Sequence, residues 1–122
     1  MFNRFTKNIK PYVEEELDLA RKANLNGHSV QAFKHLENAH VLGQESTYFH
    51  VKVHLLMLHW AIKEHDLPEL LGQFFRVVGA ASKTAVGFIP SGNTGGSNVS
   101  PFKVMPISTK HEDYIARAKS GI

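Results

Sequence analysis

Between Leu36 and Leu58 the chain reads L-E-N-A-H-V-L-G-Q-E-S-T-Y-F-H-V-K-V-H-L-L-M-L, and residues able to do chemistry are densest here. Glu37 and His40 stand three apart and share one face of a helix; His50 and His54 stand four apart and share one face of the next. A turn near Glu45 folds the two helices into an antiparallel hairpin. Counted outward from that turn, His40 comes opposite His50 and Glu37 opposite His54, to within about a residue. Imidazole is the commonest metal ligand, and E-x-x-H facing H-x-x-x-H is how helical bundles build metal sites from facing side chains. The spacing predicts a tetrahedral site made by Glu37, His40, His50 and His54. Glu16, on the packed edge of the first helix, is placed to add a fifth ligand or to orient a histidine. The plainer account pairs Glu37 with one imidazole and leaves the other histidines bonded to backbone at a helix edge.

Cysteine is absent, which removes disulfides, thiolate zinc sites, iron–sulfur clusters and a cysteine nucleophile. Without thiolate the donor set suits zinc or iron(II) first, then nickel or cobalt; Met57 keeps copper open. A full diiron site needs E-x-x-H twice and two further carboxylates, and the chain carries that motif once. Eight histidines among 122 residues are several times the usual share. His35 and His59 fall on faces expected to be solvated.

The length allows one domain over residues 1–122. A hydrophobic share of 43% and a charged share of 20% are those of a globular chain. The +3 formal charge is scattered, with no basic-aromatic run that would indicate nucleic acid. No apolar run follows the opening basic residues, and the apolar region from Leu67 to Pro90 is broken by Glu69, Gln73, Arg76 and Lys83. Neither a secretory signal nor a membrane span is expected, and the default is a soluble cytoplasmic protein.

The elements that must position the histidines follow from periodicity. A helical core is expected over residues 11–85. Pro11 suits a first helical turn, with Glu14, Glu15 and Glu16 at the positive end of the dipole and Val13, Leu17, Leu19, Ala20 and Ala23 as the stripe. Gly27 caps its end. Ser29 caps a second helix whose stripe is Ala32, Phe33, Leu36, Ala39 and His40, closed by Gly43. Ser46 or Thr47 starts a third, apolar nearly all round and so expected to be central. Asp66, Pro68 and Glu69 start a fourth, with Leu67, Leu71, Phe74, Val78, Ala81 and Ala85 at packing intervals and Gly72 and Gly79 allowing close approach. Residues 86–108 are rich in Gly and Pro yet carry Phe88, Ile89, Val99, Phe102, Val104, Met105 and Ile107, so an extended arm over the helices is predicted, with Phe88 and Phe102 buried. Phe2 and Phe5 are expected to pack back. The T-x-x-E of Thr109 to Glu112 starts a short terminal helix over residues 109–120. The fold class is all-α: a four-helix antiparallel hairpin array, an irregular apolar arm and a short fifth helix.

Leu19, Ala20, Ala23, Ala32, Leu36 and Ala39 give the first helix pair a resemblance to a tetratricopeptide repeat, with Glu16 and Gln44 where that repeat usually has Trp and Pro. A degenerate second copy starts about 34 residues on. The segments from His35 to Gln44 and from His50 to Leu58, with G-N-T-G-G-S-N-V-S-P-F from Gly92 to Phe102, resemble a family of short bacterial proteins known as a domain of unknown function, DUF3703. That resemblance spans nearly the whole chain and brings no established activity. Members tend to be encoded near metal-efflux and metal-responsive genes, which implies metal handling.

S-G-N-T-G-G from Ser91 to Gly96 is similar to the substrate loop of cofactor-dependent cysteine synthases. No strand precedes it and the chain is too short for that fold, so its glycines are read as letting the arm turn tightly against a helix. No nucleophile elbow is present. A metal-bound water with Glu16 or Glu37 as base would support hydrolysis if a coordination position is open; the balance is against an enzyme, and the sequence leaves open whether any reaction is catalysed. The reading is a small metal-binding protein that serves sensing, buffering or delivery. The alternative is a metal-free, tetratricopeptide-like module that docks a protein partner on the same helices.

Overall fold

The computed structural model describes residues 3–82, 92–100 and 103–121, and within them every regular element is a helix. Helix α1 spans Arg4–Leu25, α2 Ser29–Gly43, α3 Thr47–Glu64, α4 Leu67–Ala81 and α5 Thr109–Ser120. The short turns between the first four make neighbours antiparallel. α1 packs on α2, α2 on α3 and α3 on α4, while α5 returns to lie on α1 and touch α2.

α1 begins at Arg4, not at Pro11. Asn3 caps it by accepting the Thr6 N–H at 2.8 Å, and Thr6, Ile9, Val13, Glu16, Ala20 and Ala23 form one buried line. Pro11 sits inside this helix on the exposed side. There its fixed φ is compatible with the helix, and the carbonyl it leaves unbonded one turn back can face water. The continuing apolar period outweighs the proline as a start signal.

Gly27, at φ +77°, turns the chain out of α1. Ser29 is the first residue of α2 rather than its cap; His28 holds the cap position without a side-chain bond. Gly43 closes α2 where no side chain fits: a Cβ there would stand 2.9 Å from that of Phe49 and 3.3 Å from Val13 Cγ2. Ser46 caps α3, its Oγ accepting the Phe49 N–H at 3.3 Å and lying 2.7 Å from the Thr6 hydroxyl. This buried pair ties the start of α1 to the turn that sets the histidine register. α3 ends at His65 in the left-handed region (φ 54°), and Asp66 accepts the Glu69 N–H at 3.1 Å to start α4, with Pro68 in its first turn.

The core joins Ile9, Val13, Ala20, Leu36, Ala39, Leu42, Phe49, Val53, Met57 and Ala118. Phe5, Tyr12 and Leu17 pack at its edge, and Tyr12 stacks on Tyr114 of α5 at 4.1 Å. α5 is capped by Ser108 rather than Thr109, and Asn8 donates to the Ala118 carbonyl at 2.9 Å.

Two expectations about burial are overturned. α3 is not enclosed all round, since Leu55 and Ile62 stand about half exposed while Phe49, Val53, His54, Met57 and Ala61 face inward. α4 is rotated away from its expected packing stripe. It buries Glu69, Gln73 and Ala80, and it exposes Leu67, Leu71, Phe74, Phe75 and Val78, each by more than half. Gly72 does allow a close approach, by Ser97 of the arm, whereas Gly79 faces open space. The arm has no regular element among its described residues, and Asn93 within it is 2% exposed. Phe2, Phe88, Ile89 and Phe102 lie outside the described residues.

The Thr6–Ser46 contact gives a test of the frame. Ser46→Ala removes a helix cap and strands a buried threonine hydroxyl, and is expected to cost about 1–3 kcal/mol in urea-induced unfolding.

Candidate metal centre

His40 lies in the last turn of α2, and His50 and His54 lie in the first two turns of α3. The hairpin brings the three imidazoles together. Ring centroids are 5.0 Å apart for His40–His50, 4.7 Å for His40–His54 and 4.9 Å for His50–His54. One ring nitrogen from each falls within 4.8 Å of the others. His40 and His54 are buried, at 3% and 2% exposure, and His50 is half-buried.

The outer nitrogens of the two buried rings have partners that fix their tautomers. His40 Nδ1 lies 2.7 Å from the backbone carbonyl of Asn93, which can only accept, so Nδ1 carries the hydrogen. His54 Nδ1 lies 2.6 Å from Gln73 Oε1. The Gln73 amide cannot be turned the other way, because its Nε2 donates to Glu69 Oε2 at 2.6 Å and to the Gly95 carbonyl at 2.8 Å. Glu69 accepts further from the backbone N–H and hydroxyl of Ser97. Both histidines therefore present a bare Nε2, and these two atoms face each other at 3.1 Å. Two lone pairs at that distance repel unless a cation lies between them.

A proton does not fill that role at neutral pH. Burial, then the neighbouring His54 and His50, pushes the His40 imidazolium well below its ordinary range, against the opposing bond to Asn93. Burial lowers His54 to about 4; its bond to Gln73 opposes the shift and the charge of Arg76 adds to it. His40 and His54 are thus neutral, with their Nε2 lone pairs pointed at each other.

The site is roofed by the glycine-rich segment of the arm. Asn93 holds this segment together: its side-chain amide donates to the Ser100 and Lys103 carbonyls at 2.8 Å each, and its Oδ1 accepts the Gly95 N–H at 2.9 Å. Gly95, at φ +84°, lies flat against His40, and a Cβ there would come within 2.5 Å of the ring. Arg76 Nη2 donates to the Val99 carbonyl at 2.7 Å and ties the arm to α4. The tight turn expected of these glycines is present, and a histidine is what it turns against.

The carboxylates expected at the site stand differently. Glu16 is buried on α1, where its Oε1 lies 2.8 Å from His35 Nδ1 and 3.1 Å from Asn38 Nδ2. It joins α1 to α2, because α1 packs on the face of α2 that carries His35. His35 is accordingly not solvated: its side chain is 19% exposed. His59 is exposed, as its face suggested. Glu37 is half-buried one turn before His40 and is not among the groups that converge. Its carboxyl is pushed up by burial, lowered by Lys34 and raised by Glu69. Met57 packs in the hydrophobic core. The groups the sequence did not single out are Glu69, Gln73, Asn93, Gly95 and Ser97. Glu69 and Gln73 are four apart on α4, and that spacing was the available signal.

These features define an all-α protein with a buried imidazole cluster held by a carboxylate–amide relay and a glycine-rich arm. The chain belongs to the family described as a protein of unknown function, DUF3703, whose sequence model matches residues 7–115. No curated protein and no solved structure matches it.

Two outcomes follow for the metal-free protein. The unfolded chain takes up a proton on His54 near pH 6.5 and the folded chain only near 4, so stability is full above 6.5 and falls between those values. Chelator-treated protein is expected to lose up to about 3 kcal/mol from this group across that window, read by denaturation at stepped pH. Gly95→Ala forces a left-handed backbone on alanine and a methyl into the His40 ring. It should destabilise by at least about 1–2 kcal/mol in the same measurement.

Proposed function

We propose that the protein binds one divalent transition metal through His40, His50 and His54, for sensing, buffering or delivery. The observation that carries this reading is the pair of bare Nε2 atoms, 3.1 Å apart, with both outer nitrogens already committed. Two bonds of about 2.0–2.1 Å at a tetrahedral angle put donor nitrogens roughly 3.3 Å apart, so a zinc-sized ion needs only a few tenths of an ångström of opening. Outer hydrogen bonds of this type orient metal-bound histidines and raise their basicity. An all-nitrogen donor set with no thiolate favours zinc or iron(II) over soft ions.

Protein purified without an affinity tag should carry, or take up after chelation, close to one zinc or iron per chain by elemental analysis and titration. Less than about a tenth of a metal per chain, with no uptake on adding zinc, iron or copper, rejects the reading. His54→Ala should weaken binding by orders of magnitude, while the exposed His59→Ala leaves it within about twofold. Because the ligands must be unprotonated, affinity should fall as the solution is acidified.

A further inference from the structure

We propose that the metal in this site keeps one coordination position for a small inorganic anion, and that Arg76 is the anion's second anchor. This rests on the metal reading above and concerns what completes the coordination.

Among the described residues only three ligand groups converge, and all three are imidazoles. A divalent ion there keeps its full charge and, among the described residues, finds no fourth His or carboxylate ligand for tetrahedral coordination. The nearby carboxylates do not join the three imidazoles. Glu69 accepts from Gln73 and from Ser97, Glu16 from Asn38 and beside His35, and Glu37 lies outside the converging set. His40 and His54 are closed in, so the half-buried His50 marks the side from which solvent and small solutes reach the cluster.

Arg76 supplies the second observation. It sits on α4 one turn beyond Gln73 and donates through Nη2 to Val99 of the roofing arm. Its buried Nε has no hydrogen-bond acceptor among the described residues. Gln73, three residues earlier on the same helix, bonds His54 directly, so Arg76 stands one helical turn from a residue in contact with the cluster. The Glu69 carboxylate offsets part of the Arg76 charge, but a cation beside a metal cation is repulsive, and a buried N–H without an acceptor is unfavourable. One anion bound to the metal and reached by Arg76 relieves both. Such a ligand has to be small, since the arm closes over the rings.

The test uses the full chain, chelated and then titrated with cobalt(II), whose visible spectrum reports coordination number, with sodium azide as the anion probe. One cobalt per chain and a saturable shift of the visible bands with azide are expected. Arg76→Met should still load cobalt but bind azide about tenfold more weakly, the loss of one charge-assisted hydrogen bond. If that variant fails to load, Arg76→Lys replaces it, and is expected to load cobalt and bind azide more weakly than the native chain. Glu37→Gln should leave the azide response unchanged. A cobalt spectrum that ignores azide in the native chain, or responds only in Glu37→Gln, overturns the open position while the metal reading stands. Azide binding that is unaltered when Arg76 is replaced removes Arg76 from the proposal. Failure of the native chain to take up cobalt overturns this inference, and failure with zinc, iron and copper as well rejects the metal reading.

Discussion

Two imidazole nitrogens that face each other without a proton set the terms for much of this molecule. In water the arrangement would relax at once, because either ring could rotate or take a proton. Here neither can, since His40 is held from behind by the Asn93 carbonyl and His54 by Gln73, and burial opposes the charged form. Each restraint needs its own support. Gln73 is held by Glu69 and Gly95, Glu69 by Ser97, and the Asn93 carbonyl by an amide that bonds three points of the arm. A network of buried hydrogen bonds is rigid in a way apolar packing is not, because hydrogen bonds specify angle as well as distance.

That network accounts for the rotation of α4. A helix normally turns its apolar stripe inward. This one turns Glu69 and Gln73 inward, since they complete the bonds to His54 and the arm, and the stripe of Leu71, Phe74 and Val78 is left outside. The arm, although irregular, is held by the same contacts, and its described residues dock through backbone groups more than through side chains.

The parts legible in the sequence are those governed by local periodicity and turn length. The hairpin and the meeting of His40, His50 and His54 follow from a short turn and a helical repeat, and Ser46 and Asp66 announce their caps by residue type. Periodicity shows that a helix has two faces but not which one the fold needs, so it points the stripe of α4 inward where the structure turns it out. Glu16 lies on a packed face, as its position in the sequence implies, yet that face meets His35 and Asn38. Asn93 was invisible for another reason: the atom it offers His40 is a backbone carbonyl, which every residue possesses. Only the glycines around it, needed at Gly92 and Gly95 for positive φ, hinted that the backbone itself comes close to something.

The inside-out polarity of α4 also bears on how the chain reaches its native state. Collapse driven by apolar area alone favours a misrotated α4 that buries Phe74, Phe75 and Val78 against α3 and leaves Glu69 and Gln73 in solvent. The native rotation gains over that competitor only when the histidines and the arm are in place to receive the two polar side chains. Residues Asn93 to Val99, which follow α4 in the chain, supply part of that reception, so α4 does not fix its rotation from its own sequence. The rotational register of α4 is thus decided by partners outside the helix, and the helix's own apolar pattern disagrees with the fold at the very place that steadies His54.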